Sequence, residues 1–288
     1  MEKTNILVLL KNLATYGEND MSKVLVLSKN NPYIINRANS MGDALEHFIK
    51  DGFCNTFNEK EGIKKSQIYS KFFSYLGNNN NPPDMIIKNG DAIEVKKIDS
   101  VNANDLALNS SYPKNKIYSN SPMITNACRT CEKWSEKDIV YAVGQIDHNR
   151  LRVLSLVYGD CYAASKEVYE RIKNVVVNGL ENLNLELAET NELGRVNRVD
   201  PLGITNLRIR GMWIIKNPLF VYKDFMKFSL SNKLTVFVLM RKNKYNDFEK
   251  PEREALTNLK NCSIMHVQIR EPDNPAKLAE AILIKLVI

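Results

Sequence analysis

The sequence predicts a single α/β domain built round a mixed central β-sheet flanked by helices, with loop insertions. Three observations carry that expectation. Short runs rich in Val, Ile and Leu are interspersed with stretches whose apolar residues recur at helical spacing. The runs at 138–146, 151–158 and 234–240 read as well-buried strands. No internal repeat and no convincing linker divides the 288 residues, a length one large core can use.

Taken in order, residues 6–16 carry some helical periodicity and residues 23–27 suit a short extended piece. A helix is expected over 39–53. Ser40 would cap it with Asp43 three residues on, and Ala44, Leu45, Phe48 and Ile49 form its apolar stripe. A second helix over 64–76 would be stopped by the polar run 78–81 and by Pro82-Pro83, read as a loop. Strands at 85–88 and 92–98 flank Asn89-Gly90, a dipeptide suited to a two-residue hairpin turn with positive φ at both positions. Residues 102–135 are polar and loop-rich. After the two strong strands come a helix at 165–177 and an arginine-rich polar stretch at 190–218, with strands at 207–210 and 212–215. The strand at 234–240 is followed by a helix at 246–259, a strand at 264–269 and a helix at 275–284. The closing run 281–288 reads as a core-packing helix end or strand.

The hydrophobic fraction of 44% and the charged fraction of 25% are those of an ordinary soluble globular protein. No apolar run approaches the ~18 residues a membrane helix needs. The run 6–10 meets Lys11 at once and lacks a signal-peptide cleavage pattern. Five cysteines, odd in number and irregular in spacing, fit reduced thiols in a cytoplasmic protein. Cys128-x-x-Cys131 invites a zinc reading, with Cys262 and His266 as the spacing of a second pair. No second C-x-x-C exists, so buried reduced cysteine is preferred. A net charge of +7 favours polyanionic partners. There is no P-loop and no dinucleotide fingerprint, and three histidines leave little room for a histidine-based nuclease site.

The chemistry concentrates in one pattern: Pro83-Asp84, nine residues, then Glu94-Val95-Lys96. Side chains alternate on a strand, so Glu94 and Lys96 share one face while Ile93 and Val95 take the other. The hairpin returns Asp84 to the side of Glu94. Two carboxylates and one ammonium then converge at a sheet edge. Hard carboxylate oxygens suit Mg²⁺, which also binds phosphate oxygen, acidifies a bound water and offsets charge on phosphorus oxygens. Asp84 and Glu94 are the expected metal ligands, the Val95 carbonyl a candidate third, and Lys96 the group that orients or deprotonates the attacking water. The competing reading is structural, because Glu-x-Lys on a strand is commonly a solvated cross-strand pair. Asp91 is a further acid, but beside Gly90 it has a turn role, and Lys97 points off the Glu94 face.

The same residues match the PD-(D/E)xK nuclease signature. Longer strings are more specific. Ser74-Tyr75-Leu76-Gly77-Asn78, Asn81-Pro82-Pro83-Asp84 and Gly90-Asp91-Ala92-Ile93-Glu94-Val95-Lys96-Lys97 closely resemble the NgoPII family of type II restriction endonucleases. So do Ala107-Leu108-Asn109-Ser110-Ser111-Tyr112-Pro113, Ser121-Pro122-Met123-Ile124-Thr125, Arg195-Val196-Asn197 and Gly211-Met212-Trp213. The resemblance implies a restriction-endonuclease-like core and Mg²⁺-dependent cleavage of double-stranded DNA at the palindrome GGCC. It also implies a homodimer working beside a cognate DNA methyltransferase. In this superfamily an acidic residue on the helix before the hairpin faces the metal site, and Glu46 matches that position.

Two segments suit DNA. The first supplies Asn109, Ser110, Ser111, Tyr112, Lys114 and Lys116, small donors and lysines fitted to phosphate and base contacts. The second supplies Arg195, Asn197, Arg198, Arg208 and Arg210; arginine reads guanine bidentately in the major groove. The bland reading of both is solvated loop charge, and Trp213 is expected in the core. The alternatives to restriction are a structure-specific repair or junction nuclease of the same fold, and a non-catalytic DNA-binding protein.

Overall fold

The computed structural model describes residues 3–20, 37–78, 81–100, 102–109, 111–148, 150–181, 194–202, 204–209 and 211–288. The expected extended piece at 23–27 lies outside them. The chain opens with helices α1 (Ile6–Asp20), α2 (Arg37–Cys54) and α3 (Ile63–Phe72). Strands β1 (Phe73–Asn78), β2 (Asn81–Ile87), β3 (Ala92–Ile98), β4 (Asp105–Asn109) and β5 (Lys116–Tyr118) follow, then the short helix α4 (Asn126–Thr130). Next come β6 (Glu136–Asp147), β7 (Arg150–Tyr158), α5 (Gly159–Tyr162) and α6 (Lys166–Glu181). The last third holds β8 (Gly194–Val196), β9 (Leu207–Ile209), β10 (Met212–Lys216), α7 (Pro218–Val221), β11 (Thr235–Arg241), α8 (Lys242–Asp247) and α9 (Lys250–Thr257). Strands β12 (Cys262–Arg270) and β13 (Leu278–Val287) close it.

Among the described residues nine strands form the central sheet, in the order β1-β2-β3-β6-β7-β11-β13-β12, with β5 pairing β6 beside this path. The sheet is mixed, as expected: β3 runs parallel to β6 and β7 parallel to β11, while the other neighbours are antiparallel. Two small ribbons, β4 with β10 and β8 with β9, stand apart from it.

The helices pack by the predicted stripes. Asn5 starts α1, its side-chain oxygen accepting from the Leu7 and Val8 amides at 2.9 and 3.1 Å. Leu45, Phe48, Ile49 and Phe53 of α2 are buried, each worth about 1.5–3 kcal/mol of apolar burial. This helix sits close because β6 carries Gly144 beneath it; a Cβ there would fall 2.6 Å from a Leu45 methyl.

Several expectations are corrected, among them the Ser40 cap, since α2 already begins at Arg37. The helix at 64–76 ends at Phe72, and the chain turns into β1, where Phe73 and Tyr75 are buried against the sheet. The Pro82-Pro83 segment lies within β2 rather than in a loop. The helix at 246–259 is broken into α8 and α9, with Pro251 at the start of the second. The expected helix at 275–284 is instead β13, bonded on both sides by β11 and β12 with Ala281–Ile284 buried. Two flanking ladders outweigh the local preference of that segment. In the hairpin only Asn89 has positive φ (54°), and the Gly90 amide closes the turn onto the Ile87 carbonyl at 2.9 Å.

Gly77 on β1 passes against the β2 backbone: a Cβ there would lie 2.6 Å from the Pro83 carbonyl oxygen and 3.2 Å from the Asp84 Cα. Because backbone cannot swing aside like a side chain, Gly77→Ala should cost about 1–3 kcal/mol and displace Asp84. Chemical denaturation and a cleavage assay together check this, with both stability and rate expected to fall.

Candidate active site

Strand pairing sets the site. β2 and β3 are in register at only two positions, Met85 with Ile93 and Ile86 with Ala92. One step further, where Asp84 would face Glu94, the backbones part. The Asp84 carboxylate takes over the ladder: its Oδ2 accepts the Val95 amide at 2.6 Å. The N–H and C=O of one strand residue project to the same side, so the Val95 carbonyl points toward Asp84 as well. Glu94 is buried, with Oε1 at 2.6 Å from the Lys96 ammonium. Its Oε2 is buried with no hydrogen-bond partner among the described residues. Lys97 turns the other way, onto Asp99 at 2.9 Å. Asp91 is structural, as its turn position suggested: it accepts from the Tyr158 hydroxyl at 2.6 Å and the Lys244 ammonium at 2.7 Å.

Helix α2 brings Glu46 into the same electric field. Burial raises the Glu46 carboxyl pKa, Lys50 opposes this, and Asp43, Lys96 and Glu94 also act on it. Lys50 lies 3.8 Å from Glu46, one helical turn on. Burial pushes the Asp84 carboxyl up to about 8, reinforced by Glu94 and Glu46 and opposed by Lys96 and the Val95 amide. Burial works against the Lys96 charge, yet Glu94, Asp84 and Glu46 outweigh it and hold Lys96 above the ordinary lysine range. Once Asp84 ionises, it and Glu94 share one ammonium, with Lys50 offsetting Glu46. That leaves a surplus negative charge and an unbonded buried oxygen, a donor set that fits a hard divalent cation. Among the described residues no group of three or more His, Cys, Asp and Glu side chains could hold a metal. A cation here would therefore take two carboxylates, with backbone oxygen and water completing its shell. Lys50 escaped the sequence reading, although its i,i+4 spacing from Glu46 was available as a signal.

The predicted DNA-facing residues divide. Asn109 ends β4 opposite Met212 of β10; its side chain, Ser110, the Arg208 side chain and Arg210 lie outside the described residues. Arg195 on β8 stands across from Arg208 on β9 and is exposed, as is Arg198, while Asn197 is half-buried. Tyr112 is held inward: its hydroxyl donates to Glu170 at 3.1 Å and its ring stacks on Tyr169. Trp213 packs edge-on against both rings, in keeping with a core role. Lys116 pairs with Glu136 at 2.7 Å. Lys114 is not the solvated lysine its polar neighbourhood suggested. It is only 7% exposed, with its ammonium donating to Ser111 Oγ and to the Tyr112 carbonyl.

The cysteine pairs do not converge. Cys128 is buried in α4 and the Cys131 thiol faces Ser74 of β1 at 3.7 Å. Cys262 and His266 lie on β12, at the opposite edge of the sheet.

A family model described as NgoPII restriction endonuclease matches residues 4–270, which include Glu46, Asp84, Glu94 and Lys96. The chain belongs to the NgoPII restriction endonuclease family. Its relatives in this NgoPII family include the type II restriction enzyme NgoPII of Neisseria gonorrhoeae. The two are 46% identical over 251 residues, covering 86% of this chain and 90% of that protein. No solved structure matches the chain.

The raised Asp84 carboxyl gives this NgoPII-family protein a pH signature. A carboxyl whose folded pKa exceeds its unfolded value contributes stability below the unfolded pKa and loses it as pH rises through the folded one. Here the window runs from the ordinary carboxylate range to about 8. In metal-free buffer, Asp84→Asn should therefore gain in Tm relative to wild type as pH rises from about 5 to about 9. Parallel thermal melts check it; a constant difference would remove the shift.

Proposed function

We propose that this family member, a site-specific endonuclease acting on double-stranded DNA, hydrolyses both strands of the palindrome GGCC with Mg²⁺. The observation carrying the site assignment is the parting of β2 from β3. It leaves Asp84, Glu94 and Lys96 around one buried, under-bonded carboxylate oxygen.

In this reading Asp84 and Glu94 hold the cation, with the Val95 carbonyl as a third ligand. A bound divalent cation would supply Lewis acidity toward the phosphate and acidify a water. The chain's own part is orientation. Asp84 is fixed by the Val95 amide. Lys96, kept as an ammonium by its three acidic neighbours, acts as a donor to the attacking water and to the phosphate rather than as its base. Glu46, balanced by Lys50, shapes the field around Lys96. The arginines at 195, 198, 208 and 210 and the segment 109–116 are the proposed contacts to DNA.

A two-fold target asks for a two-fold protein, so a homodimer is part of this proposal. Helix α6 supports it: Val168, Ile172 and Val175 recur on one side of the helix and are exposed, a stripe that a second copy would bury. Cytoplasmic residence beside a cognate DNA methyltransferase completes the reading, because an unprotected GGCC genome would be cut.

Asp84→Ala, Glu94→Ala and Lys96→Ala should each lower cleavage of a GGCC plasmid at least about 10²-fold. Discrete bands from wild type with Mg²⁺, and none with chelator, are the expected digest. A smear, or full activity in any of the three variants, would sink the assignment. Ile172→Glu should shift the protein from dimer to monomer in light scattering; an unchanged mass would move the interface elsewhere.

A further inference from the structure

Lys114 is a buried cation that no carboxylate pairs among the described residues. Its ammonium rests on two neutral oxygens, Ser111 Oγ and the Tyr112 carbonyl, and lies 4.6 Å from the Tyr112 ring centroid. A buried charge without a counter-charge is expensive, so an anion brought from outside would explain its retention.

The surroundings provide the place. A cavity of about 160 Å³ is lined by Lys114, Lys116 and Lys166, with Asn115, Asn120 and Glu170. That is roughly ten times the room one water needs. Lys116 is already paired with Glu136, and the Glu170 carboxylate accepts from Tyr112. Lys166, the first residue of α6, is exposed and stands over the Tyr118 ring at 5.5 Å, with no carboxylate partner among the described residues. Lys114 and Lys166 thus give the cavity a positive surplus even after Glu170 is counted.

The cavity also has a fixed relation to the carboxylates. The Lys114 amide donates to the Tyr141 hydroxyl at 2.6 Å. Tyr141 on β6 is in register with Glu94 on β3, one strand spacing away, about 4.8 Å. Burial lowers the Lys114 ammonium pKa to about 8, and Glu94 is the acid whose charge opposes this.

We infer that this cavity is a phosphate subsite, in which Lys114 and Lys166 grip the DNA backbone phosphate beside the one being cut. This rests on the nuclease reading and adds a specific positioning role. The buried Lys114 would be a fixed charge, poised before DNA arrives. Lys166 would be the movable one at the rim.

The test is binding of a fluorescent GGCC duplex to the full chain in metal-free buffer across a salt series. Lys166→Ala and Lys114→Met should each weaken affinity about tenfold and flatten the log–log salt slope by about 0.9. A duplex with a neutral methylphosphonate beside the cut should bind wild type as weakly as it binds Lys166→Ala. Lys114→Met should keep or raise Tm, because it replaces an uncompensated charge with an apolar chain of similar length. Unchanged affinity and slope in both variants, in a protein whose wild type cuts GGCC DNA, would overturn the subsite alone. So would Lys114→Met melting early with affinity intact. A wild type that neither cuts nor binds would overturn the nuclease reading with it.

Discussion

The Val95 amide donates to the Asp84 carboxylate, not to a backbone carbonyl of β2, and the rest of the site follows from that substitution. A strand that kept pairing past Met85 would close the sheet over the Glu94 position. A strand that left without a substitute would strand a backbone donor at the edge of the core. The aspartate side chain meets both needs. It completes the ladder and puts a second carboxylate beside Glu94. The cost is two acids in one poorly hydrated place, seen in the raised Asp84 carboxyl and the elevated Lys96. Removing that conflict is what a cation would do there.

Packing around this point keeps it from relaxing. Gly77 lets β1 press on Pro83 and Asp84 from outside, and Gly144 lets Leu45 seat α2 against β6. Glu46 and Lys50 are carried in on that helix as a paired charge, so the pair adds field without adding net charge. On the far side of β3 the parallel partner β6 carries Tyr141, whose hydroxyl ties down the segment holding Lys114. The acidic site and the loop holding Lys114 are thus linked through the neighbouring strands β3 and β6.

Much of this was legible in the sequence. The alternation of Ile93, Glu94, Val95 and Lys96 gave the faces correctly, and Ala44–Ile49 gave the buried side of α2. What failed has a common cause: long-range pairing. Nothing local in residues 73–78 or 278–280 says that a neighbouring strand waits for them; residues 281–288 left helix end and strand both open, and β13 forms because β11 and β12 bond both its edges. The burial of Lys114 was hidden for a related reason. Its neighbours in sequence are polar, but its neighbours in space are Tyr112 and Tyr141. The opposite holds for Asp91, whose turn position signalled a structural role without naming Tyr158 and Lys244 as its partners.

The central claim is that Asp84 and Glu94 jointly hold a divalent cation. The most direct measurement is a Mn²⁺ titration followed by electron paramagnetic resonance, using the full chain with a GGCC duplex. It should be run on wild type, Asp84→Asn and Glu94→Gln. Wild type is predicted to bind Mn²⁺, and each single variant to weaken that binding at least about tenfold, since each removes a charged ligand. Equal Mn²⁺ binding by all three proteins would contradict the account.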